Sequence, residues 1–250
     1  SDLKVQPGTE ITLRRSSWNG HMSLVLNGKC NNEVLSAWVL SLPFDISLHI
    51  SQGSIIKTLL GEPFLEEQLC GLTFRVSPLA FLQINHQQTE KLYQLIYQYA
   101  ALSGKERILD GFCGIGTIAL SLAKYASRVT GVELYPQAVA DAKQNAAIND
   151  INNVRFYAGS CEDVITRLNQ PFDIVILDPP RAGCKAQTIE AVVKTNAPRI
   201  IYVSCNPATL ARDLQLFTAG GYFITEVQPV DMFPRTGHVE TVVLMSRVNK

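Results

Sequence analysis

Hydrophobic and polar positions change rhythm twice along the chain, near residues 80 and 106. Before the first change, short apolar runs separated by turn-forming residues read as strands: Glu10–Leu13, Ser23–Leu26, Glu33–Leu42, Ile46–Ile50, Ser54–Thr58 and Leu72–Val76, with Asn27-Gly28 as a hairpin candidate. These predict a small, mostly antiparallel β-rich unit, too short for a full barrel and best read as an appended subdomain. Between Asn85 and Leu102 the rhythm becomes helical, because Leu92, Leu95, Ile96 and Tyr99 fall at i, i+3, i+4 and i+7.

From Glu106 onward apolar runs alternate with helical patterns. Strands are expected at Arg107–Gly111, Arg128–Glu133, Val154–Ala158, Asp173–Asp178 and Arg199–Ser204, and helices at Thr117–Tyr125, Gln137–Asn149, Ala186–Asn196 and Pro207–Ala219. Alternation of this kind makes a mostly parallel sheet covered on both faces, and the unbroken apolar run Ile200–Val203 fits a strand buried on both sides. Two final strands, Tyr222–Pro229 and Val239–Ser246, have no helix between them, so the sheet ends in an antiparallel pair.

Composition narrows the class. A chain of 250 residues with 46% hydrophobic and 18% charged content can bury a full-sized core. No apolar run approaches the ~20 residues that cross a bilayer, and there is no basic segment followed by an apolar one at the start, so neither membrane insertion nor secretion is expected. The six cysteines are scattered without a C-x-x-C pair, which suits reduced thiols in the cytoplasm better than a zinc site or a disulfide framework. Formal net charge is zero, with 22 basic and 22 acidic residues, so any contact with a phosphate backbone must come from a local patch or another domain.

Candidate chemistry gathers at strand ends. Asp110-Gly-Phe-Cys-Gly-Ile-Gly-Thr117 lies between a strand and its helix, where glycines let backbone amides approach a nucleotide-like cofactor. Glu133 closes the next strand, where a carboxylate can accept both ribose hydroxyls of an adenosine. Gly114-x-Gly116-x-x-Ala119 also satisfies the loose dinucleotide fingerprint, which keeps a nicotinamide cofactor and a dehydrogenase open. Asp178-Pro-Pro-Arg181 ends the fourth strand of this series; alone it is a strand-stopping turn, but it places a third chemically active position at the carboxyl edge.

Ser204-Cys-Asn-Pro207 marks the exit of the fifth strand into a helix with proline at its first position. Cys205 therefore lies near a helix N-terminus, where the dipole can lower a thiol's pKa and make thiolate available for attack on carbon. Cys184, just past the proline turn, is a rival nucleophile; the other cysteines read as small buried hydrophobes. In Asp231–Glu240, polar residues interrupt an apolar pattern, and Glu240 opens an apolar strand as either half of a salt bridge or a catalytic carboxylate. His238 fits a simple hydrogen-bonded histidine equally well.

With these motifs in place the chain resembles the RNA uracil-C5 methyltransferase family, most of all its 23S ribosomal RNA branch, over about Leu79 to Met245. The likeness is carried by Phe81-Leu-Gln-Ile-Asn85, Asp110–Gly116, Asp178-Pro-Pro-Arg-Ala-Gly-Cys184, Ser204-Cys-Asn-Pro-Ala-Thr-Leu-Ala-Arg-Asp213 and Asp231–Glu240. The resemblance implies an α/β chain with the class I S-adenosylmethionine-dependent methyltransferase fold: a Rossmann-like, mostly parallel seven-stranded sheet with an antiparallel last strand. It implies a small β-rich unit over 1–80 and a catalytic domain over 81–250. Gln83, Phe112, Gly114, Gly116, Thr117, Glu133, Ser160 and Asp178 would line the S-adenosylmethionine site. Cys205 would be the nucleophile and Glu240 the base, with Arg181, Arg235 and His238 facing RNA. Ser160 and Thr117 stand where some relatives carry asparagine. Family members often hold an iron–sulfur cluster through upstream cysteines; Cys30 and Cys70 lack that spacing, so no cluster or other metal is expected in this chain. Competing functions are transfer RNA uridine-C5 methylation, RNA cytosine-C5 methylation and noncatalytic RNA binding. The cytosine enzymes normally place a cysteine directly after the proline turn, where this chain has Arg181.

Overall fold

The computed structural model of the chain describes residues 8–53 and 55–248; Ser54, where one expected strand begins, lies outside them. In chain order the elements are β1 (Glu10–Arg15), β2 (Met22–Asn27), α1 (Asn32–Leu40), β3 (Ile46–Gln52), β4 (Ile55–Leu60), β5 (Leu65–Leu69), β6 (Leu72–Val76), α2 (His86–Ala100), β7 (Arg107–Gly111), α3 (Thr117–Ala123), β8 (Arg128–Glu133), α4 (Pro136–Ile148), β9 (Val154–Ala158), α5 (Cys161–Leu168), β10 (Ile174–Leu177), α6 (Ala186–Lys194), β11 (Arg199–Ser204), α7 (Pro207–Ala219), β12 (Tyr222–Val230) and β13 (Glu240–Arg247). Compactness divides the chain into Ser1–Leu82 and Gln83–Lys250.

The first unit holds a four-stranded sheet in the order β1-β2-β3-β4 and the hairpin β5-β6. β2 and β3 pair in parallel, which requires a crossover, and α1 provides it. A helix therefore replaces the strand expected over Glu33–Leu42. Asn31 caps it by accepting from the Glu33 and Val34 amides at 3.0 and 3.2 Å, and Leu35 and Val39, one turn apart, bury against Leu24, Leu26, Leu48 and Ile50. Burial at a spacing of four overrode the β-prone local composition. Asn27-Gly28 is likewise no hairpin: it leaves β2 toward α1, while β1 turns into β2 through a loop closed by the Ser16 amide donating to the His21 carbonyl at 2.8 Å. β5 was hidden by its polar run Glu66-Glu67-Gln68. Glu67 is buried, accepting from the Ser17 amide and hydroxyl at 2.8 and 2.9 Å, and the turn to β6 uses positive φ at Cys70 and Gly71 (52° and 76°).

The second unit is built on a seven-stranded sheet in the order β12-β13-β11-β10-β7-β8-β9. Strands β9, β8, β7, β10 and β11 run parallel, and β13 inserts antiparallel between β11 and β12. Ile108 and Leu109, successive residues of β7, are both fully buried, as a strand covered on both faces requires. On one face Val164, Ile165, Ile189, Val192, Leu210 and Phe217 of α5, α6 and α7 pack against Leu109, Val175, Leu177, Ile200 and Tyr202. Helix α5, absent from the sequence pattern above, is only 8 residues long. Its signal was Ser160 as N-cap ahead of Val164 and Ile165. Helix α2 starts one residue after its capping Asn85 and buries Thr89, Leu92, Tyr93, Ile96 and Ala100, a face rotated slightly from the expected one. The chain moves outward from β7 through β8 to β9, then returns to place β10 on the other side of β7. That reversal opens a crevice at the carboxyl ends of β7 and β10.

Candidate active site

The loop from β7 into α3 turns on three positive φ angles: Phe112 at 66°, Gly114 at 52° and Gly116 at 88°. Gly116 is also a packing requirement, since a Cβ there would lie 2.9 Å from Phe156 Cζ and 3.2 Å from Ala142 Cβ. A Cβ on Gly114 would meet nothing within 4 Å, so the backbone faces open space at that point. Glu133, at the end of β8, accepts from the Gly114 amide through Oε2 at 3.1 Å and from the Tyr135 amide through Oε1 at 3.0 Å. The carboxylate thus braces the loop, and each oxygen keeps a second lone pair for a hydroxyl.

Two of the other expected cofactor residues have side chains engaged by protein partners. Thr117 Oγ1 shares a 2.6 Å hydrogen bond with the Tyr93 hydroxyl. Ser160 caps α5: its hydroxyl donates to Asp163 Oδ2 at 2.6 Å and accepts from the Asp163 amide at 3.3 Å. Gln83 lies half-buried ahead of Asn85.

Asp110 was not among the expected site residues. It is fully buried in β7 and neither carboxyl oxygen has a hydrogen-bond partner among the described residues. Burial, then the charge of Asp178, push its pKa well above the ordinary carboxylate range, and Glu133 adds to the rise. A charged residue inside the apolar run Ile108-Leu109-Asp110 was the available signal. Asp178 directly follows β10 and its amide donates to the Gly111 carbonyl at 3.4 Å. Although its surface is not wholly covered, it sits deep enough that burial, followed by the charge of Glu240, pushes its pKa up to about 7. The charges of Asp178 and Glu133 thus both reach Asp110 beside the glycine loop.

Cys205 and Glu240 come together through strand register. The last pair joining β11 to β13 is Ser204 with Thr241, and the next position along that antiparallel register is Cys205 beside Glu240. Glu240 is buried, its Oε2 has no partner among the described residues, and burial raises its pKa. Cys205 is half-buried. Its thiol is pushed above the ordinary value by burial first, then by Glu240, with Arg181 pulling it down and Asp178 raising it. The net shift is upward, opposite to the depression that a helix N-terminus alone would give. Asn206, not Cys205, is the N-cap of α7, accepting from the Ala208 amide at 3.1 Å, so the thiol lies outside the first turn where the dipole acts.

Cys184, the rival, is 4% exposed in the core beside Tyr202, and burial pushes its thiol up to about 12. Arg181 donates to His238 Nδ1 at 3.2 Å, which leaves the imidazole proton on Nε2 in the neutral ring. His238 also meets Phe233 edge-on, with ring centroids 6.4 Å apart. Arg235 is exposed in the same loop with a positive φ of 67°.

Comparison with known proteins identifies the family. The family model described as tRNA (Uracil-5-)-methyltransferase matches residues 26–248. An uncharacterised RNA methyltransferase of Staphylococcus epidermidis is 48% identical over 202 residues, covering 80% of this chain and 44% of that protein. One from Caldanaerobacter subterraneus is 43% identical over 240 residues, covering 90% and 53%. The chain spans about half the length of the curated relatives it matches. Among solved structures, the Pyrococcus abyssi tRNA (uracil-54, C5)-methyltransferase in complex with S-adenosyl-L-homocysteine superposes with a TM-score of 0.80 at 30% identity, covering 94% of this chain and 59% of that one. Trm5b of the same organism, at 14% identity and a TM-score of 0.61, shares the fold. The fold of the second unit is that of S-adenosylmethionine-dependent methyltransferases.

Proposed function

Because the chain belongs to the RNA uracil-C5 methyltransferase family, we propose that it transfers a methyl group from S-adenosylmethionine to C5 of a uridine in RNA, with Cys205 as nucleophile and Glu240 as base. The observation that carries this reading is the register that sets Cys205 next to Glu240 at the carboxyl edge, with the Glu240 charge acting on both Cys205 and Asp178, on the same sheet edge as the glycine loop.

The charge of the crevice favours this donor over a nicotinamide dinucleotide. A pyrophosphate would bring negative charge to a loop where the charges of Asp178 and Glu133 already help drive buried Asp110 toward its neutral form, whereas a sulfonium and an ammonium are cations. Glu133 would accept the ribose hydroxyls through its remaining lone pairs, Gly114 would let the ligand approach the backbone, and Phe112 and Asp178 would flank it, with Gln83 at the entrance to α2. Thr117 and Ser160 would contribute through their backbone positions, since their hydroxyls are already bonded. Bound there, S-adenosylmethionine supplies an electrophilic methyl group.

Uracil C5 is too weak a nucleophile to take that methyl unaided. Addition of the Cys205 thiolate to C6 would turn C5 enolate-like, and C5 would then bond to the methyl carbon as the methyl–sulfur bond breaks and S-adenosylhomocysteine is left as the neutral thioether. Glu240 removes the C5 proton, the thiolate leaves C6, and the aromatic ring is restored. Burial suits Glu240 to the task, because a carboxylate held at a raised pKa is a stronger base than one in water. The target base must leave its stack to reach a thiol at a strand end. Arg181 and Arg235 would supply the local positive surface that a chain of zero net charge needs for RNA, with His238 accepting from the Arg181 guanidinium, and the reaction would proceed in the cytoplasm.

The finer proposal, 23S ribosomal RNA as the target, rests on the likeness of Asp231–Glu240 to the ribosomal branch. Transfer RNA is the second reading, favoured by the Pyrococcus structure. Incubation of the chain with each RNA and methyl-labelled S-adenosylmethionine, followed by mass mapping of nucleosides, decides between them. Label in 5-methyluridine of one RNA identifies the substrate, and label confined to 5-methylcytidine or absent from both refutes the uridine reading.

A further inference from the structure

The Ser204–Asp213 motif contains two residues, Arg212 and Asp213, that the chemistry above leaves unused. Asp213 is 0% exposed. Its Oδ2 accepts from the Tyr202 hydroxyl at 2.6 Å and from the Cys184 amide at 2.7 Å, and its Oδ1 accepts from Arg212 Nε at 2.8 Å. The Arg212 guanidinium donates onward to the Ala182 and Cys184 carbonyls at 2.9 and 3.2 Å. One turn earlier on α7, Asn206 Nδ2 and Thr209 Oγ1 both donate to the Arg181 carbonyl at 3.2 Å.

The helix that starts just after Cys205 therefore grips the loop leading away from Asp178 at three carbonyls and one amide. Gly183 makes that approach possible: its φ is +73°, and a Cβ there would lie 2.5 Å from Asp213 Oδ2 and 2.6 Å from the Arg212 guanidinium. An ion pair with one buried and one half-exposed partner adds little stability of its own, so its presence is better accounted for by the geometry it enforces.

We propose that Asp213, acting with Arg212, is a positioning residue that locks the Arg181–Cys184 loop to α7 and thereby holds the Asp178 carboxylate and the Arg181 guanidinium in place around the Cys205 thiol. This rests on the catalytic role assigned to Cys205. Asp213→Asn keeps the shape and still accepts from Tyr202 or Cys184, but it presents an amide N–H₂ to Arg212 and loses the charge. Arg212→Gln removes the other half of the clamp at a side chain that is 50% exposed, where folding tolerates the change.

Two measurements on the full chain test the idea. Amide hydrogen exchange at residues 182–184 should accelerate at least tenfold in both variants while the β11 amides keep their protection. With RNA carrying 5-fluorouridine, covalent attachment at Cys205 should slow at least tenfold at saturating RNA and S-adenosylmethionine, with the dissociation constant for S-adenosylmethionine within twofold of the parent. Unchanged exchange in the loop overturns the clamp. Faster exchange with an unchanged rate of attachment overturns the positioning role. If the parent itself never attaches to RNA, the function proposed above fails, and the exchange result alone decides whether Asp213 holds the loop.

Discussion

Replacing Glu240 by glutamine should alter the reactivity of Cys205 in the free protein, before RNA is present. The thiol lies above the ordinary value of 9.0 because of burial, then Glu240, while Arg181 opposes them and Asp178 adds to the rise. A thiol at 9.0 is about 1% thiolate at pH 7, so Cys205 holds less than that, and its alkylation rate should climb about tenfold per pH unit from pH 6 to 9. Glu240→Gln removes a negative neighbour, so the titration moves to lower pH and alkylation at pH 7 speeds up. Arg181→Ala removes the one positive neighbour, and the titration moves to higher pH. Iodoacetamide labelling followed by peptide mass spectrometry separates Cys205 from Cys30 and Cys70, which are also half-buried. A parent midpoint below pH 8, or a Glu240→Gln midpoint that stays or rises, refutes the electrostatic account of the site.

Glu240→Gln should also lower turnover about 10²- to 10⁴-fold, the usual contribution of a general base, and let a covalent RNA adduct accumulate on ordinary uridine, visible as a shifted band on a denaturing gel. Gly116→Ala combines a left-handed φ of 88° with a 2.9 Å clash against Phe156, so it should destabilise the second unit by about 2–4 kcal/mol, read by urea unfolding. Asp178 has a folded-state pKa raised from 3.8 to about 7, so the folded state binds the extra proton and stability falls as pH rises through that window. Asp178→Asn should remove that slope, at most about 1.4 kcal/mol per pH unit between pH 4 and 7, and gain relative stability toward neutral pH; identical slopes in parent and variant would contradict the raised value.

The parallel sheet of the second unit was legible because most of its strands carry apolar runs and they alternate with helical patterns; β7, β8, β9 and β11 have the bounds the pattern gave. The first unit was less so. Its α1 has a strand-like composition, and only the parallel pairing of β2 with β3, a contact invisible in sequence, explains why Leu35 and Val39 wind into a helix. Helix α5 and strand β5 were lost for the opposite reason, being short and rich in polar residues. At the site, motifs located Cys205 and Glu240, but the register that makes them neighbours, the orphaned carboxyl of Asp110 and the clamp around Asp213 belong to tertiary structure. The sign of the Cys205 shift was set by burial and by Glu240, both of which belong to the tertiary structure.

Peptide mapping of a trapped complex bears most directly on the central role of Cys205. Mixed with S-adenosylmethionine and RNA containing 5-fluorouridine, whose fluorine Glu240 cannot abstract, the protein should yield one RNA-bearing peptide, with the pyrimidine on Cys205 Sγ. Cys205→Ala should yield none and Cys184→Ala should trap like the parent. An adduct on Cys184, or undiminished trapping by Cys205→Ala, would contradict the account.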